Sequence, residues 1–366
     1  MTSRRSDTRW LVWRGAFLAL FALGSVTASP LAQTPFETPR SASAAPRASR
    51  DWKQLQSTHF VVVGNSTEGV LRDTTIQLEM FRDTVSQLFP ALREPPPRPT
   101  TVVVFRNDAS FHEFKPRDPR GRVMDTVAGY LTTHPDANYI VLAARTNPTQ
   151  TVRVVLHEFA HYLIHGAAPE VPRWLDEGLA DFYSTILIDP NGSVRLGDPI
   201  RGHLARLRGG LIIPLDQLLS AQGQTTIFGD MRQQLTFYAQ SWGLVHYLTL
   251  GHAGRRDGQM EAYLRAIEAG QSLADAGRHA FGGDLRQLHI ELATYMRRPI
   301  LPTQSLTRPS TDGSVVGHRP VPMLDADVQA LRASLLSRVP VFRDAGTDLP
   351  PIAVEPRPLP PSARLP

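Results

Sequence analysis

His157-Glu158-Phe159-Ala160-His161 is the stretch of this chain best equipped for chemistry. It sits in a segment whose apolar residues recur at helical spacing. Residues four apart share one face of a helix, so the two imidazoles can grip one metal ion, and Glu158 can reach a water bound to that metal. Fifteen residues separate His161 from Glu177, within Trp174-Leu175-Asp176-Glu177-Gly178-Leu179-Ala180-Asp181. A second helix laid across the first would bring Glu177 to the same ion as a third ligand. Asp181, one turn further on, is placed to accept the second N–H of a ligating histidine and fix its tautomer. Apolar neighbours (Trp174, Leu175, Leu179, Ala180 and Phe182) argue against a freely solvated acidic stripe.

The chain has no cysteine. That removes thiolate ligands, disulfides and cysteine nucleophiles, so a site here must use His, Asp or Glu. Two histidines and a glutamate around an open position suit zinc (Zn2+). The ion lowers the pKa of water toward about 7. Glu158 is then the expected general base, taking a proton from the attacking water and passing it to the leaving amine. The expected activity is zinc-dependent hydrolysis, with a peptide or protein as substrate. Two rivals stand beside it: a non-catalytic envelope protein that keeps the zinc fold for binding, and a zinc hydrolase of a non-peptide amide.

The elements that must position these groups are legible as patterns. Residues 59–64, 101–105, 127–131 and 138–143 read as strands. Residues 67–89 carry helical spacing. Asn147 is a good N-cap with Pro148 at the first helical position, and Gly166 is a natural stop. The second helix is expected over 173–187. Further helices are expected over 236–249, 259–269, 272–280 and 284–296. The expected fold class is α+β: a small mixed sheet over 51–146, then a mainly helical part over 147–298, with the metal in the cleft between them.

Flanking segments differ in composition. Basic residues precede an apolar run from Gly15 to Val26, and Val26-Thr27-Ala28 offers a cleavage point, so residues 1–28 have signal-peptide form. The apolar run is short for a spanning helix. A periplasmic or secreted protein without stable membrane insertion is expected. Residues 29–50 read as a flexible linker. Residues 299–366 read as a proline-rich, largely irregular tail, with one amphipathic island at Leu324, Val328, Leu331 and Leu335 and a disordered end over the last seventeen residues. The net charge is +5. Four arginines against Asp7 in the leader account for +3 of it, leaving +2, and no dense basic block remains for nucleic acid.

These motifs carry a family resemblance. HExxH followed by Trp174-Leu175-Asp176-Glu177-Gly178-Leu179-Ala180 resembles the gluzincin metallopeptidases, the group with thermolysin-like and aminopeptidase-N-like members. A closer likeness is to a bacterial peptidase-MA-like domain of unknown function. It covers about residues 51–298 and includes Trp52, His59-Phe60, Leu78-Glu79-Met80-Phe81, Gly129-Tyr130 and Tyr238-Ala239-Gln240-Ser241-Trp242. The resemblance implies a zincin-like fold and a donor to the developing oxyanion, with Tyr238 first and His246 or Tyr183 as alternatives. It also implies that a strand before the metal helix pairs with substrate, either Gly129-Tyr130-Leu131 or Tyr139-Ile140-Val141. The acidic amine anchor of aminopeptidases is missing, which favours an endopeptidase. A metzincin is excluded, because Ile164 and Ala167 stand where that class has Gly and His. His165 is rotated about 80° from His157 along the helix, and is expected to cap the helix C-terminus.

Overall fold

The computed structural model describes residues 47–89, 99–118, 120–189, 192–210, 213–221, 231–251, 253–307 and 319–341. The leader at 1–28, the linker up to residue 46 and the final seventeen residues lie outside the described residues.

The first half runs β1 (Ala48–Gln56), β2 (Phe60–Gly64), α1 (Glu68–Leu88), β3 (Thr100–Phe105), a short α2 (Asp108–Phe111), β4 (Gly129–Thr133) and β5 (Asn138–Ala143). With β9 (Val321–Leu324) from the far end of the chain, these strands form one six-stranded mixed sheet in the order β4-β5-β3-β2-β1-β9. β2, β3 and β5 are parallel, whereas β4, β1 and β9 run antiparallel to their neighbours. Alternation along each strand gives the sheet two buried faces. Val62, Val102, Val104, Ile140 and Leu142 join a core with α1 and with α3 (Pro148–Ala167). Val63, Val103, Phe105 and Val141 join a second core with Trp52, Phe111, Phe114 and Tyr130.

That second core corrects two expectations. The region beyond residue 299 is not largely irregular among its described residues. It supplies β9 and α11 (Asp325–Ser337), whose Met323, Val328 and Leu335 close the second face of the sheet. Without them Trp52 and Phe105 would meet water, and that apolar surface is what orders the segment. The amphipathic island at 324–335 is the helix. Likewise, residues 48–50 belong to β1 rather than to a linker, because backbone pairing with β9 extends the strand to Ala48.

After β5 the chain is mostly helical. Asn147 caps α3, its side chain accepting the Thr149 N–H at 3.0 Å. The helix continues past Gly166, and its last turn is closed by the Ala168 N–H on the Ile164 carbonyl. A single glycine is a weak breaker when the next amide still finds its partner. α4 (Arg173–Ser184) stops short of 187. The Thr185 hydroxyl bonds back to the Phe182 carbonyl and accepts the Gly197 N–H. The chain then turns into β6 (Leu187–Ile188), which pairs with β7 (Ser193–Leu196). α5 (Arg201–Arg208), α6 (Leu215–Ser220) and α7 (Met231–His246) follow, the last running into a π-helical turn at Tyr247–Gly251. α8 (Gln259–Glu268), α9 (Leu273–Phe281) and α10 (Leu285–Met296) complete the half, and β8 (Gln304–Thr307) returns to pair with β7. Strands first and helices after make the described chain a mixed α+β fold. No described helix is long and apolar enough to cross a membrane.

Candidate metal centre

α3 lies against the sheet by one face and against α4 by another. Phe159 points into the core, edge-on to Phe60 at 5.1 Å and to Phe81 at 6.2 Å. His157 and His161 therefore emerge on a different side of the helix, toward α4. α4 is in turn pressed against α7 at Gly178. A Cβ there would stand 2.5 Å from the Ser241 carbonyl oxygen, so only glycine allows this approach. The neighbouring Glu177 is thereby carried to the two histidines.

The three expected ligands converge. His157 Nε2 and His161 Nε2 are 3.0 Å apart. The Oε2 of Glu177 lies 3.5 Å from the first and 3.6 Å from the second. Ligands at about 2.0–2.1 Å around a tetrahedral ion are separated by about 3.3–3.4 Å. The triangle matches the base of such a tetrahedron, and these atoms could hold one metal ion. The chemistry of the donors agrees. His157 Nδ1 pairs with Asp181 Oδ1 at 3.1 Å, and His161 Nδ1 pairs with Asp176 Oδ1 at 2.8 Å. With both Nδ1–H groups donated to carboxylates, the two Nε2 atoms face each other, and either a proton or a metal ion between them relieves the contact. Both oxygens of Glu177 and of Glu158 are buried without a hydrogen-bond partner. Buried carboxylates seldom stay so unless a positive charge compensates them.

Burial sets the electrostatics. His161 and Glu177 are 0 % exposed. Burial opposes a charged His157, but Asp181 and Glu177 beside it outweigh that and bring it to about 9. His161 is likewise raised well above its ordinary value, its burial overcome by Asp176 and Glu177. Burial raises Glu158 to about 7, against the pull of both imidazoles, with Glu177 adding to the rise. The Leu131 backbone amide on β4 pulls Glu158 the other way. Burial also works to raise Asp176 and Asp181. His161 outweighs it for the first and His203 for the second, and both carboxyls stay well below the usual range.

The remaining expected residues divide. Tyr238 lies buried on α7, within range of the Glu177 charge. Its phenol is raised first by burial and then by the nearby Glu177, with Arg173 opposing. His246 is not brought there: its two ring nitrogens are engaged by the Tyr295 hydroxyl at 2.8 Å and the Gly197 carbonyl at 2.8 Å. Tyr183 stacks edge-on against Phe89 and lines an apolar cavity of about 120 Å3 with Leu175 and Leu179. Those residues lie across α4 from Glu177. His165 stands in the last turn of α3, and its Nε2 also pairs with Asp176 Oδ2 at 2.9 Å. Of the two candidate substrate strands, β5 is held on both sides by β3 and β4, whereas β4 is the outermost of the described strands on its side of the sheet.

Three partners were not anticipated from sequence: Asp176 on His161, His203 on Asp181 at 2.7 Å, and Arg153 at 4.0 Å from Asp181. A carboxylate adjacent to an expected ligand was a usable signal for Asp176. Nothing local marks His203, which arrives on α5 through tertiary docking. Neither a scan against models of known protein families nor a search among curated proteins finds a match to this chain.

Proposed function

We propose that this protein is an exported zinc-dependent peptidase of zincin-like fold, an endopeptidase before an exopeptidase. The observation that carries the reading is the triangle of two Nε2 atoms and one carboxylate oxygen, with a second buried carboxylate, that of Glu158, on the same helix as the two histidines. A structural zinc site is closed by four protein ligands, whereas a catalytic one keeps a vertex open. His157, His161 and Glu177 would hold the ion. Bound there, zinc supplies Lewis-acid polarisation of a carbonyl and acidification of water.

The chain's own groups do the rest. Glu158 takes the proton of the attacking water and returns it to the departing nitrogen. Burial supports this, since a carboxylate raised to about 7 both accepts and releases a proton near neutrality. The Tyr238 hydroxyl, beside Glu177, donates to the oxygen that gains charge. β4, whose Leu131 amide acts on Glu158, is the outermost of the described strands on its side of the sheet, and an extended peptide adds to it as a further strand.

One rival draws on a specific feature. The depth of the cluster suits a fold that keeps zinc for architecture alone. Glu158 speaks against it, because an architectural site has no use for a further buried carboxylate beside its ligands. Digestion of a peptide library separates the two. The expected result is cleavage by the zinc-loaded protein and a loss of about 10²–10⁴-fold in Glu158→Gln with zinc retained. Zinc binding with no cleavage of any peptide would leave the rival standing, or a non-peptide amide as the target.

A further inference from the structure

We infer that His203 is a positioning residue for the metal centre, acting on His157 through Asp181. The inference rests on the reading of His157, His161 and Glu177 as metal ligands. Each ligating imidazole is tied at Nδ1 to one oxygen of an aspartate, and the other oxygen of each aspartate is tied to a further histidine. One limb runs His157, Asp181, His203, with separations of 3.1 Å and 2.7 Å. The other runs His161, Asp176, His165, with separations of 2.8 Å and 2.9 Å.

The limbs differ in what braces them. His165 belongs to α3 itself, and its side chain is 37 % exposed, so water competes for Asp176 Oδ2. The His203 side chain is 15 % exposed, with its ring 5.9 Å from that of Trp242 on α7. It stands on α5, a third helix, so Asp181 is where α3, α4 and α5 are joined. The terminal torsion of an aspartate is broad, and its partners fix the carboxylate plane. Arg153 cannot replace His203. It approaches Oδ1, the oxygen already used by His157, and leaves Oδ2 to His203. Without the imidazole, a buried Oδ2 has no donor, and the carboxylate gains by rotating toward another. That rotation takes Oδ1 off His157 and frees the ligand ring to turn.

The test is zinc affinity by competition with a chromophoric chelator, beside the absorption of the cobalt-substituted protein. His203→Ala is expected to weaken zinc by about 10–100-fold, the range for residues that orient metal ligands, and to alter the cobalt spectrum. His203→Gln restores most of the affinity, since its amide N–H falls near the position of the imidazole Nε2–H. His165→Ala has the smaller effect. In an Asp181→Ala background, His203→Ala adds nothing further. Should His203→Ala not fold, His203→Asn carries the comparison: its shorter amide cannot reach Asp181, and binding as tight as that of the Gln variant would overturn the inference. Unchanged zinc in His203→Ala, with zinc lost in Glu177→Ala, sinks the positioning idea alone. Zinc retained in Glu177→Ala as well would remove the metal site and the inference with it.

Discussion

At the scale of single residues, the cluster is a balance of protons that a metal ion would upset. Without metal, His157 titrates at about 9 and His161 is also raised. A ligating imidazole must be neutral. Below pH 9, therefore, each ion that enters displaces at least one proton, and apparent affinity falls by about tenfold per pH unit for each proton displaced. Calorimetry at pH 7.5 in two buffers of different protonation enthalpy should show net proton release. Equal heats in both buffers would contradict the shift on His157. The Tyr238 hydroxyl makes a separate prediction. Tyr238→Phe should keep zinc and substrate affinity but lower kcat by about 10²–10³-fold, as loss of one oxyanion donor does. A kcat close to that of the parent protein would move the donor elsewhere.

At the scale of elements, Gly178 is the pivot. An alanine there would meet backbone oxygen of Ser241 at 2.5 Å and Val245 Cγ2 at 2.6 Å. α4 and α7 would have to separate. We expect Gly178→Ala to cost about 1–3 kcal/mol by overpacking and to loosen zinc at the neighbouring Glu177. Thermal unfolding and chelator competition read the two effects, and an unchanged melting temperature would show that the helices yield without cost. This scale also explains what the sequence makes legible. His157, Glu158 and His161 are readable because one helical turn brings them together without help from the rest of the fold. Glu177 is readable from its apolar surroundings. Asp176, beside an expected ligand, carries a signal that only the rotation of α4 turns into a role, and His203 carries none, since its role depends on where α5 docks. The second core was hidden for another reason. β1 has an irregular alternation of exposed and buried residues, and β9 contains Pro322. Proline is tolerated in β9 because the strand lies at the edge of the sheet.

At the scale of the molecule, the segment after residue 319 fastens the sheet. α11 packs against β1 and joins the second core, Arg332 lies over the Phe114 ring and pairs with Glu113, and Arg338 forks onto Asp136 at 3.0 Å and 2.9 Å in the β4–β5 turn. Deleting residues 319–366 should therefore uncover the second core while leaving every expected metal ligand in the chain. The expected outcome is a red shift of Trp52 emission and a lower melting temperature. A truncated protein with parental emission and stability would show that the second face needs no cover.

β1 and β9 lie at opposite ends of the described chain yet are side by side in the sheet. During synthesis the first of these strands leaves the ribosome long before the last exists. The nascent polypeptide thus stays without its β9 edge strand and without α11 until the whole helical part has been made, and pairing across so great a sequence separation closes late and slowly. Completion of the sheet is timed by residues 321–337, not by the segment that bears the chemistry.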